Sequence, residues 1–220
     1  MNVLLYGATG MVGQGVAREC ELDPGIERIV TVGRRATGGA HPKTREVVQP
    51  DLTDLSSISS ELPTIDACLF CLGVSSLGMN EEAYSKITYD LTLSIAEQLV
   101  RANKAMTFIY VSGASTDSTE RGPSMWARVK GATENALMRL PFKAAYMFRP
   151  GMIQPLHGVR SKTALYRWAY VIANPLFGLV RLWAPDRATT SEQVGRAMLV
   201  AAKRGAPSPL VEMADINALR

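Results

Sequence analysis

Cysteine and histidine are scarce in this sequence. Three cysteines among 220 residues give an odd count and no framework of disulfides. Cys68 and Cys71 form a C-x-x-C pair inside an apolar run, where residues three apart point to opposite faces of a strand, so packing in the core is favoured over redox chemistry. His41 and His157 stand in loop-like segments without partnering cysteines, and we therefore expect no metal site.

Long hydrophobic runs are also missing. The longest apolar stretch without a charge covers the thirteen residues 168–180, and a membrane-spanning helix needs about 20. Stable insertion in a membrane is therefore not expected. The first strand is predicted to begin at Asn2, which leaves no space for a signal or transit segment and favours a cytoplasmic protein.

The charges are uneven along the chain, and no repeat or biased tract is present. Residues 1–150 hold 15 Lys or Arg against 16 Asp or Glu, and residues 151–220 hold 9 against 4. This basic excess suits an anionic ligand or an anionic membrane surface, and ordinary surface charge explains it equally well. A basic stripe interleaved with aromatic residues is absent, so nucleic acid is not an expected partner.

Short apolar runs alternate with helical patterns along the first 150 residues. The runs are continuous, which is typical of strands covered by helices on both faces. This order predicts an α/β fold with a three-layer, doubly wound parallel sheet of the Rossmann type. The predicted strands are residues 3–6, 29–32, 45–48, 67–72, 107–111 and 144–148.

The helical patterns predict a single domain over residues 1–220. Residues 1–150 form its dinucleotide-binding core, and residues 151–220 form a small substrate-side lid and closing helices. One long helix is expected over residues 81–103, and another over residues 191–203 before a short strand near residues 210–213. The apolar face of the long helix is predicted to carry Ile87, Leu91, Ile95 and Leu99.

A glycine-rich turn joins the first strand to the first helix. Such a turn exposes backbone N–H groups at a helix N-terminus, where donors and the helix dipole stabilise a pyrophosphate. Gly7 permits the turn, Gly10 lets the phosphates approach, and Gly13 lets the helix lie close to the sheet. The predicted loop consists of Gly7, Ala8, Thr9, Gly10, Met11, Val12 and Gly13.

The end of the second strand indicates which dinucleotide binds. An NAD site usually has Asp or Glu there for the ribose 2′-hydroxyl, whereas this chain has Arg34 and Arg35, with no acid nearby until Glu46. Arginine offers several donors to a phosphate. NADP(H) is therefore the predicted cofactor and NAD(H) the less favoured one. Asp51 and Leu52, after the third strand, are expected to meet the adenine.

These residues resemble the atypical branch of the short-chain dehydrogenase/reductase superfamily. The chain is most similar to its epimerase/dehydratase-like proteins and to the Tat-interacting-protein-like oxidoreductases. The resemblance implies that Ser112 occupies the catalytic serine position and that Lys130 holds the nicotinamide ribose. It also implies that the cofactor is lined by Leu72 and Gly73 and covered by Pro150, Gly151, Met152 and Ile153.

The family's catalytic Tyr-x-x-x-Lys motif is absent, because Trp126 stands four residues before Lys130. Residues i and i+4 share a helix face, so Trp126 is expected to contact substrate or cofactor. Its indole N–H donates a hydrogen bond but exchanges no proton near neutral pH. Tyr89 is the first candidate to replace the missing phenol, with Tyr166 and Tyr110 as alternatives.

The sequence is compatible with two functions. The first is an NADP(H)-dependent oxidoreductase or epimerase-like enzyme that acts on a small carbonyl or alcohol substrate. The second is a non-catalytic NADP(H)-binding redox sensor or regulatory interaction protein. The protein is expected to be a monomer or a homodimer, and residues 168–183 are an alternative site for peripheral membrane contact.

Overall fold

The computed structural model describes residues 1–158 and 188–220. Within them, seven parallel strands form one sheet, in the spatial order Thr44–Val48, Arg28–Gly33, Asn2–Tyr6, Ala67–Phe70, Thr107–Val111, Ala144–Phe148 and Leu210–Val211. The predicted parallel α/β fold is therefore confirmed. The strands of this sheet are β1 (Asn2–Tyr6), β2 (Arg28–Gly33), β3 (Thr44–Val48), β4 (Ala67–Phe70), β5 (Thr107–Val111), β6 (Ala144–Phe148) and β9 (Leu210–Val211).

Helices cover both faces of the sheet, because successive side chains of each strand point to opposite sides. On one face Leu4, Phe70 and Phe108 pack against the helices at Leu91–Ala102 and Met125–Arg139. On the other face Leu5 and Leu69 pack against the helices at Met11–Leu22 and Ser191–Arg204. The sheet and the helices on its two faces therefore form three layers, with one apolar cluster on each face of the sheet. The helices are α1 (Met11–Leu22), α2 (Glu81–Ser85), α3 (Leu91–Ala102), α4 (Met125–Arg139), α5 (Ser191–Arg204) and α6 (Met213–Ala218), with short 3₁₀ helices at Ser56–Ile58 and Leu62–Thr64.

The long helix predicted over residues 81–103 contains a π-helical segment at Lys86–Asp90, between α2 and α3. A π turn adds a residue to the helical repeat and rotates the buried face. Ile95 and Leu99 are buried as expected, but Ile87 is 40% exposed and Thr88 lies inside instead. The apolar spacing predicted the helix and missed this rotation.

The C-terminal residues complete the sheet and its helical layers. The strand expected near residues 210–213 is the shorter β9, and α6 follows with a capping box between Glu212 and Asp215. Two strands that the sequence pattern does not predict, β7 (Met152–Gln154) and β8 (Ala188–Thr190), form a separate two-stranded parallel sheet. Most of the expected lid, together with Tyr166 and the candidate membrane-contact segment 168–183, lies outside the described residues.

Helix α1 lies unusually close to α5. A Cβ on Gly15 would be 2.6 Å from the carbonyl oxygen of Ser191, so glycine permits this approach. Glu19 is buried between the two helices, and its Oε2 accepts a hydrogen bond from Arg196 Nε at 3.0 Å. Among the helices of the described residues, none is long and apolar enough to cross a bilayer.

Candidate functional site

The glycine loop between β1 and α1 is built to bring backbone close to a ligand. Gly7 has φ +81°, a conformation that L side chains rarely adopt, and a Cβ there would be 2.6 Å from the carbonyl oxygen of Cys71. A Cβ on Gly13 would approach the carbonyl carbon of Gly7 to 2.7 Å. Gly10 caps α1 through its backbone, so the first N–H groups of the helix have no capping side chain.

A cavity of about 380 Å³ opens beside this loop at the carboxyl ends of β1, β2 and β3. Ligands of doubly wound folds bind at this edge of the sheet. Six residues predicted to contact the cofactor lie around the cavity, namely Gly7, Thr9, Arg34, Arg35, Leu52 and Leu72. The glycine loop, the basic pair and the adenine side of the predicted site are therefore brought together.

Arg34 and Arg35 line the cavity with exposed side chains. Neither guanidinium takes part in an ion pair among the described residues. Two unpaired cations at the end of β2 suit the anionic part of a dinucleotide. The residues present therefore fit a nicotinamide dinucleotide.

Glu46 also lines the cavity, a role that sequence analysis did not assign to it. It lies on the edge strand β3 and pairs in register with Thr31 of β2. Its Oε1 accepts hydrogen bonds from the backbone N–H of Thr37, at 2.9 Å, and from the Thr37 hydroxyl. The parallel pairing of β3 with β2 was the signal for this position, because it carries Glu46 to the cavity that follows β2.

Asp51 and Gly73, two other expected cofactor residues, lie outside the cavity lining. Asp51 Oδ1 accepts hydrogen bonds from the backbone N–H and the hydroxyl of Thr53, and these bonds lower the pKa of Asp51. Its carboxylate therefore shapes the turn that follows β3. Gly73 has open space around its Cα, and a Cβ there would meet nothing within 4 Å.

Met11 and Val12 are half-buried at the start of α1 and pack against the apolar cluster on that face. They hold the helix against the sheet.

After β6, the carbonyl of Pro150 accepts a hydrogen bond from the backbone N–H of Ala114 at 2.9 Å. Gly151 is exposed, Met152 is 47% exposed and Ile153 is buried, so only the first two of these three are accessible to a ligand.

The hydroxyl of Ser112, at the end of β5, is turned into the protein. It donates a hydrogen bond toward Glu134 Oε1 at 2.5 Å and lies 3.1 Å from the carbonyl oxygen of Phe148. Glu134 is fully buried and ion-paired to Arg149. Because both acceptors lie inside the protein, the single proton of Ser112 points inward, and only its lone pairs remain available to a ligand.

Lys130 lies on α4 next to Ser112, outside the lining of the cavity beside the glycine loop. Its Nζ donates a hydrogen bond to the Ser112 carbonyl at 2.8 Å and lies 5.5 Å from the centroid of the Tyr110 ring. Burial lowers the pKa of Lys130 to about 8, and the nearby charge of Glu134 opposes this shift. An amine with this pKa exchanges protons near neutral pH.

Trp126 is half-buried one turn before Lys130 on the same face of α4. In the part of the chain that the structure describes, its indole N–H makes no hydrogen bond, so it is free to donate one. Two tyrosines of the described residues are poor replacements for the missing catalytic phenol. Burial raises the pKa of Tyr84 and of Tyr110, and Tyr89 is half-buried against the apolar cluster.

The loop between β5 and α4 is held in a fixed shape by hydrogen bonds to Asp117. Asp117 accepts hydrogen bonds from the backbone N–H groups of Thr119 at 3.0 Å and Gly122 at 2.6 Å, and the Thr119 hydroxyl is the largest cause of its lowered pKa. A Cβ on Gly131 would overlap with the Asp117 carbonyl. Glycine after Lys130 thus lets this loop rest directly on α4.

Comparison with known proteins agrees with this geometry. The model of the family described as NAD dependent epimerase/dehydratase matches residues 3–123, which is more than half of the chain. The chain belongs to the NAD-dependent epimerase/dehydratase family. The resemblance to atypical short-chain dehydrogenases/reductases is thereby confirmed.

Two curated relatives carry the same name. The chain is 31% identical over 159 residues to "Protein fmp52, mitochondrial" of Emericella nidulans, covering 69% of this chain and 66% of the relative. It is 26% identical over 207 residues to "Protein FMP52, mitochondrial" of Meyerozyma guilliermondii, covering 92% of this chain and 85% of the relative. The cytoplasmic location expected from the sequence is wrong, because these relatives are named mitochondrial.

Among solved structures, the fold is similar to the enzyme WbmF of Bordetella bronchiseptica in complex with NAD⁺. The TM-score is 0.67 at 16% identity, covering 99% of this chain and 76% of that one. At this identity the likeness concerns the fold alone. A nicotinamide dinucleotide as the class of cofactor is supported both by this fold and by the family.

Proposed function

We propose that this protein binds NADP(H) and acts as an oxidoreductase or epimerase-like enzyme on a small carbonyl or alcohol substrate. The observation that carries the proposal is the placement of two unpaired guanidiniums, Arg34 and Arg35, in the cavity beside the glycine loop. A phosphate on the adenosine ribose satisfies both cations, whereas a bare hydroxyl satisfies neither. The less favoured cofactor is NAD(H).

The reduced dinucleotide supplies a hydride when it is bound. The protein's own residues position the substrate and handle the proton. The Trp126 indole donates a hydrogen bond to the substrate oxygen, and Ser112 accepts one from a substrate hydroxyl through its lone pairs. Among the residues matched to the family's catalytic positions, Lys130 is the one that titrates near neutral pH. Its pKa of about 8 suits proton transfer.

Expected cofactor contacts complete the proposal. The loop residues Thr9, Gly10, Met11 and Val12 hold the pyrophosphate, and Leu52 packs near the adenine. Leu72 and Gly73 line the cofactor after β4, and Lys130 serves the nicotinamide ribose. Pro150, Gly151, Met152 and Ile153 follow β6 on the nicotinamide side.

Turnover of NADPH tests the enzyme directly. Purified protein is incubated with NADPH and a panel of aldehydes, ketones and nucleotide sugars, and oxidation of the cofactor is followed by its absorbance. Nucleotide sugars belong in the panel because WbmF was also solved in complex with NAD⁺ and UDP. We expect consumption above background with at least one class. Binding of NADPH without consumption by any class contradicts the enzymatic proposal.

A second candidate function is a non-catalytic NADP(H)-binding sensor or interaction protein. It is favoured by Trp126, whose indole is no acid or base near neutral pH, and by the inward hydroxyl of Ser112. The substitution Trp126→Tyr separates the two candidates, with Trp126→Phe as its matched control because both remove the indole. Turnover that appears only in Trp126→Tyr favours the sensor. Turnover already present in the natural protein favours the enzyme, with Tyr89 and Lys130 as proton donors to be tested next.

We propose a small-molecule ligand as the main partner and a monomer or homodimer as the assembly. Peripheral contact with an anionic membrane surface through residues 168–183 is the alternative partner, and those residues lie outside the described part of the chain. Sedimentation of the protein with and without anionic vesicles tests the membrane contact. A protein that stays in solution at low salt contradicts it.

A further inference from the structure

The adenosine side of the cavity contains charges of both signs. Arg34 and Arg35 come from the end of β2, and Glu46 comes from the neighbouring strand β3. Glu46 is half-buried, and in the described ranges it has no cationic partner within ion-pair distance. An acid beside two unpaired cations, all lining one cavity, makes the local charge +1.

The hydrogen bonds of Glu46 use only one of its two carboxylate oxygens. Oε1 accepts from the N–H and the hydroxyl of Thr37, which holds the loop after β2 against β3. Oε2 makes no hydrogen bond with the residues that the structure describes. A carboxylate accepts about four hydrogen bonds, so half of the capacity of Glu46 remains for a ligand in the cavity.

The two dinucleotides present different groups on the adenosine ribose. NAD(H) has a 2′-hydroxyl, which donates a hydrogen bond and needs an acceptor, and NADP(H) has a 2′-phosphate, which accepts hydrogen bonds and carries negative charge. In this chain the end of β2 provides donors and no acceptor. The carboxylate next to it, on β3, is the acceptor that the hydroxyl needs, and it repels the phosphate.

We propose that Glu46 sets the cofactor preference of this protein. Its carboxylate accepts the 2′-hydroxyl of NAD(H) and opposes the attraction of Arg34 and Arg35 for the 2′-phosphate of NADP(H). The pocket therefore binds both dinucleotides, and the preference for NADP(H) is smaller than the two arginines alone would give. This inference rests on the proposed function, because it concerns the same dinucleotide site.

The substitution Glu46→Gln tests this role. Glutamine keeps the shape and an acceptor for Thr37 but removes the charge. Dissociation constants for NADPH and NADH are measured by titration calorimetry in the natural protein and in the variant. We expect NADPH to bind more tightly and NADH more weakly, so that the ratio of the NADH constant to the NADPH constant rises by about tenfold.

Two further variants separate charge from loop shape. Thr37→Val removes one donor to Glu46 and leaves its charge in place, so the ratio should stay within about twofold of the natural protein even where both affinities fall. Glu27→Gln removes a carboxylate that is 79% exposed, just before β2 begins and at the opposite end of that strand, and it should change neither constant.

The outcomes distinguish this inference from the proposed function. A ratio unchanged in Glu46→Gln, with both cofactors still bound, overturns the role of Glu46 and leaves the dinucleotide site intact. An equal shift of the ratio in Thr37→Val also overturns it, because the preference would then follow the loop and the Thr37 hydroxyl, which also lines the cavity, and not the charge of Glu46. Loss of all binding in the natural protein overturns both.

Discussion

Arg149 and Glu134 form a buried ion pair directly beneath the end of β5. Arg149 Nε lies 3.1 and 3.2 Å from the two carboxylate oxygens of Glu134, and Nη2 lies 2.5 Å from Oε2. The same carboxylate receives the Ser112 hydroxyl, and its charge raises the pKa of the neighbouring Lys130 against the effect of burial. This pair therefore orients the Ser112 hydroxyl and influences the charge of Lys130, the two residues that the resemblance places at the catalytic centre.

Removal of one partner of this pair should destabilise the fold strongly. Glu134→Gln leaves the guanidinium of Arg149 inside the protein with Glu212, which is 52% exposed, as its remaining charged partner. Breaking a buried pair in this way costs about 3–5 kcal/mol. The free energy of unfolding in urea measures it. As a control, Glu97→Gln breaks the exposed pair with Arg101 at 3.9 Å and should cost less than about 1 kcal/mol. Equal losses in the two variants contradict the structural role.

The stability contributed by Lys130 should depend on pH. Its pKa is about 8 in the folded protein and 10.5 in an unperturbed lysine, so between these values the unfolded chain holds more protons. Stability that depends on Lys130 therefore rises as the pH increases from about 8 to about 10.5, and it is constant below pH 8. Urea unfolding of the natural protein and of Lys130→Met across this range measures the difference.

The lowered pKa of Lys130 is contradicted if the difference in unfolding free energy between the natural protein and Lys130→Met stays constant or falls from about pH 8 to about pH 10.5. Titration of the lysine by NMR after reductive methylation gives an independent value. Glu134→Gln removes the charge that raises this pKa, so the variant should titrate at a still lower pH.

Gly13→Ala should abolish binding of the dinucleotide and destabilise the protein. Alanine favours a helix by up to about 1 kcal/mol over glycine. Here the added Cβ overlaps with the Gly7 carbonyl, and overpacking against backbone costs about 1–3 kcal/mol, so the clash outweighs the propensity. Thermal unfolding and calorimetry with NADPH measure both effects. Gly39→Ala, where a Cβ meets only Thr37 Oγ1 at 3.9 Å, should bind normally, and equal behaviour of the two variants contradicts the account.

Replacing Arg34 or Arg35 with alanine should weaken NADPH binding by about tenfold or more, because each charge-assisted hydrogen bond to a phosphate is lost. NADH has no 2′-phosphate, so its affinity should change little. Arg101→Ala, an exposed arginine on α3, is the matched control and should leave both affinities unchanged. A parallel loss of NADH and NADPH affinity in the Arg34 and Arg35 variants contradicts a specific contact with the 2′-phosphate.

The sequence predicts most of the sheet, because most of its strands are apolar runs followed within a few residues by glycine or proline. The predicted strands 107–111 and 144–148 match β5 and β6 at both ends. The short strands β7 and β8 each have three residues, and a run of this length gives no periodic signal. The π segment was missed for a related reason, since one added residue in a turn leaves the surrounding helical pattern intact.

The placement of the residues around the cavity follows more directly from the sequence than the contacts around Ser112 do. Gly7, Gly13 and the two arginines are adjacent in sequence to the elements that position them, so their placement follows from the order of strand, turn and helix. The pair of Glu134 with Arg149, and the place of Glu46 in the cavity, depend on which strands and helices become neighbours in space. Such contacts join residues far apart or on different strands, and local pattern does not encode them.

Calorimetric titration of the natural protein with NADPH and with NADH is the measurement that tests the central claim most directly. The account predicts saturable binding of both at one site per chain, with NADPH the tighter ligand. Absence of heat with either cofactor, reduced or oxidised, from protein shown to be folded would contradict the account of the glycine loop and its cavity.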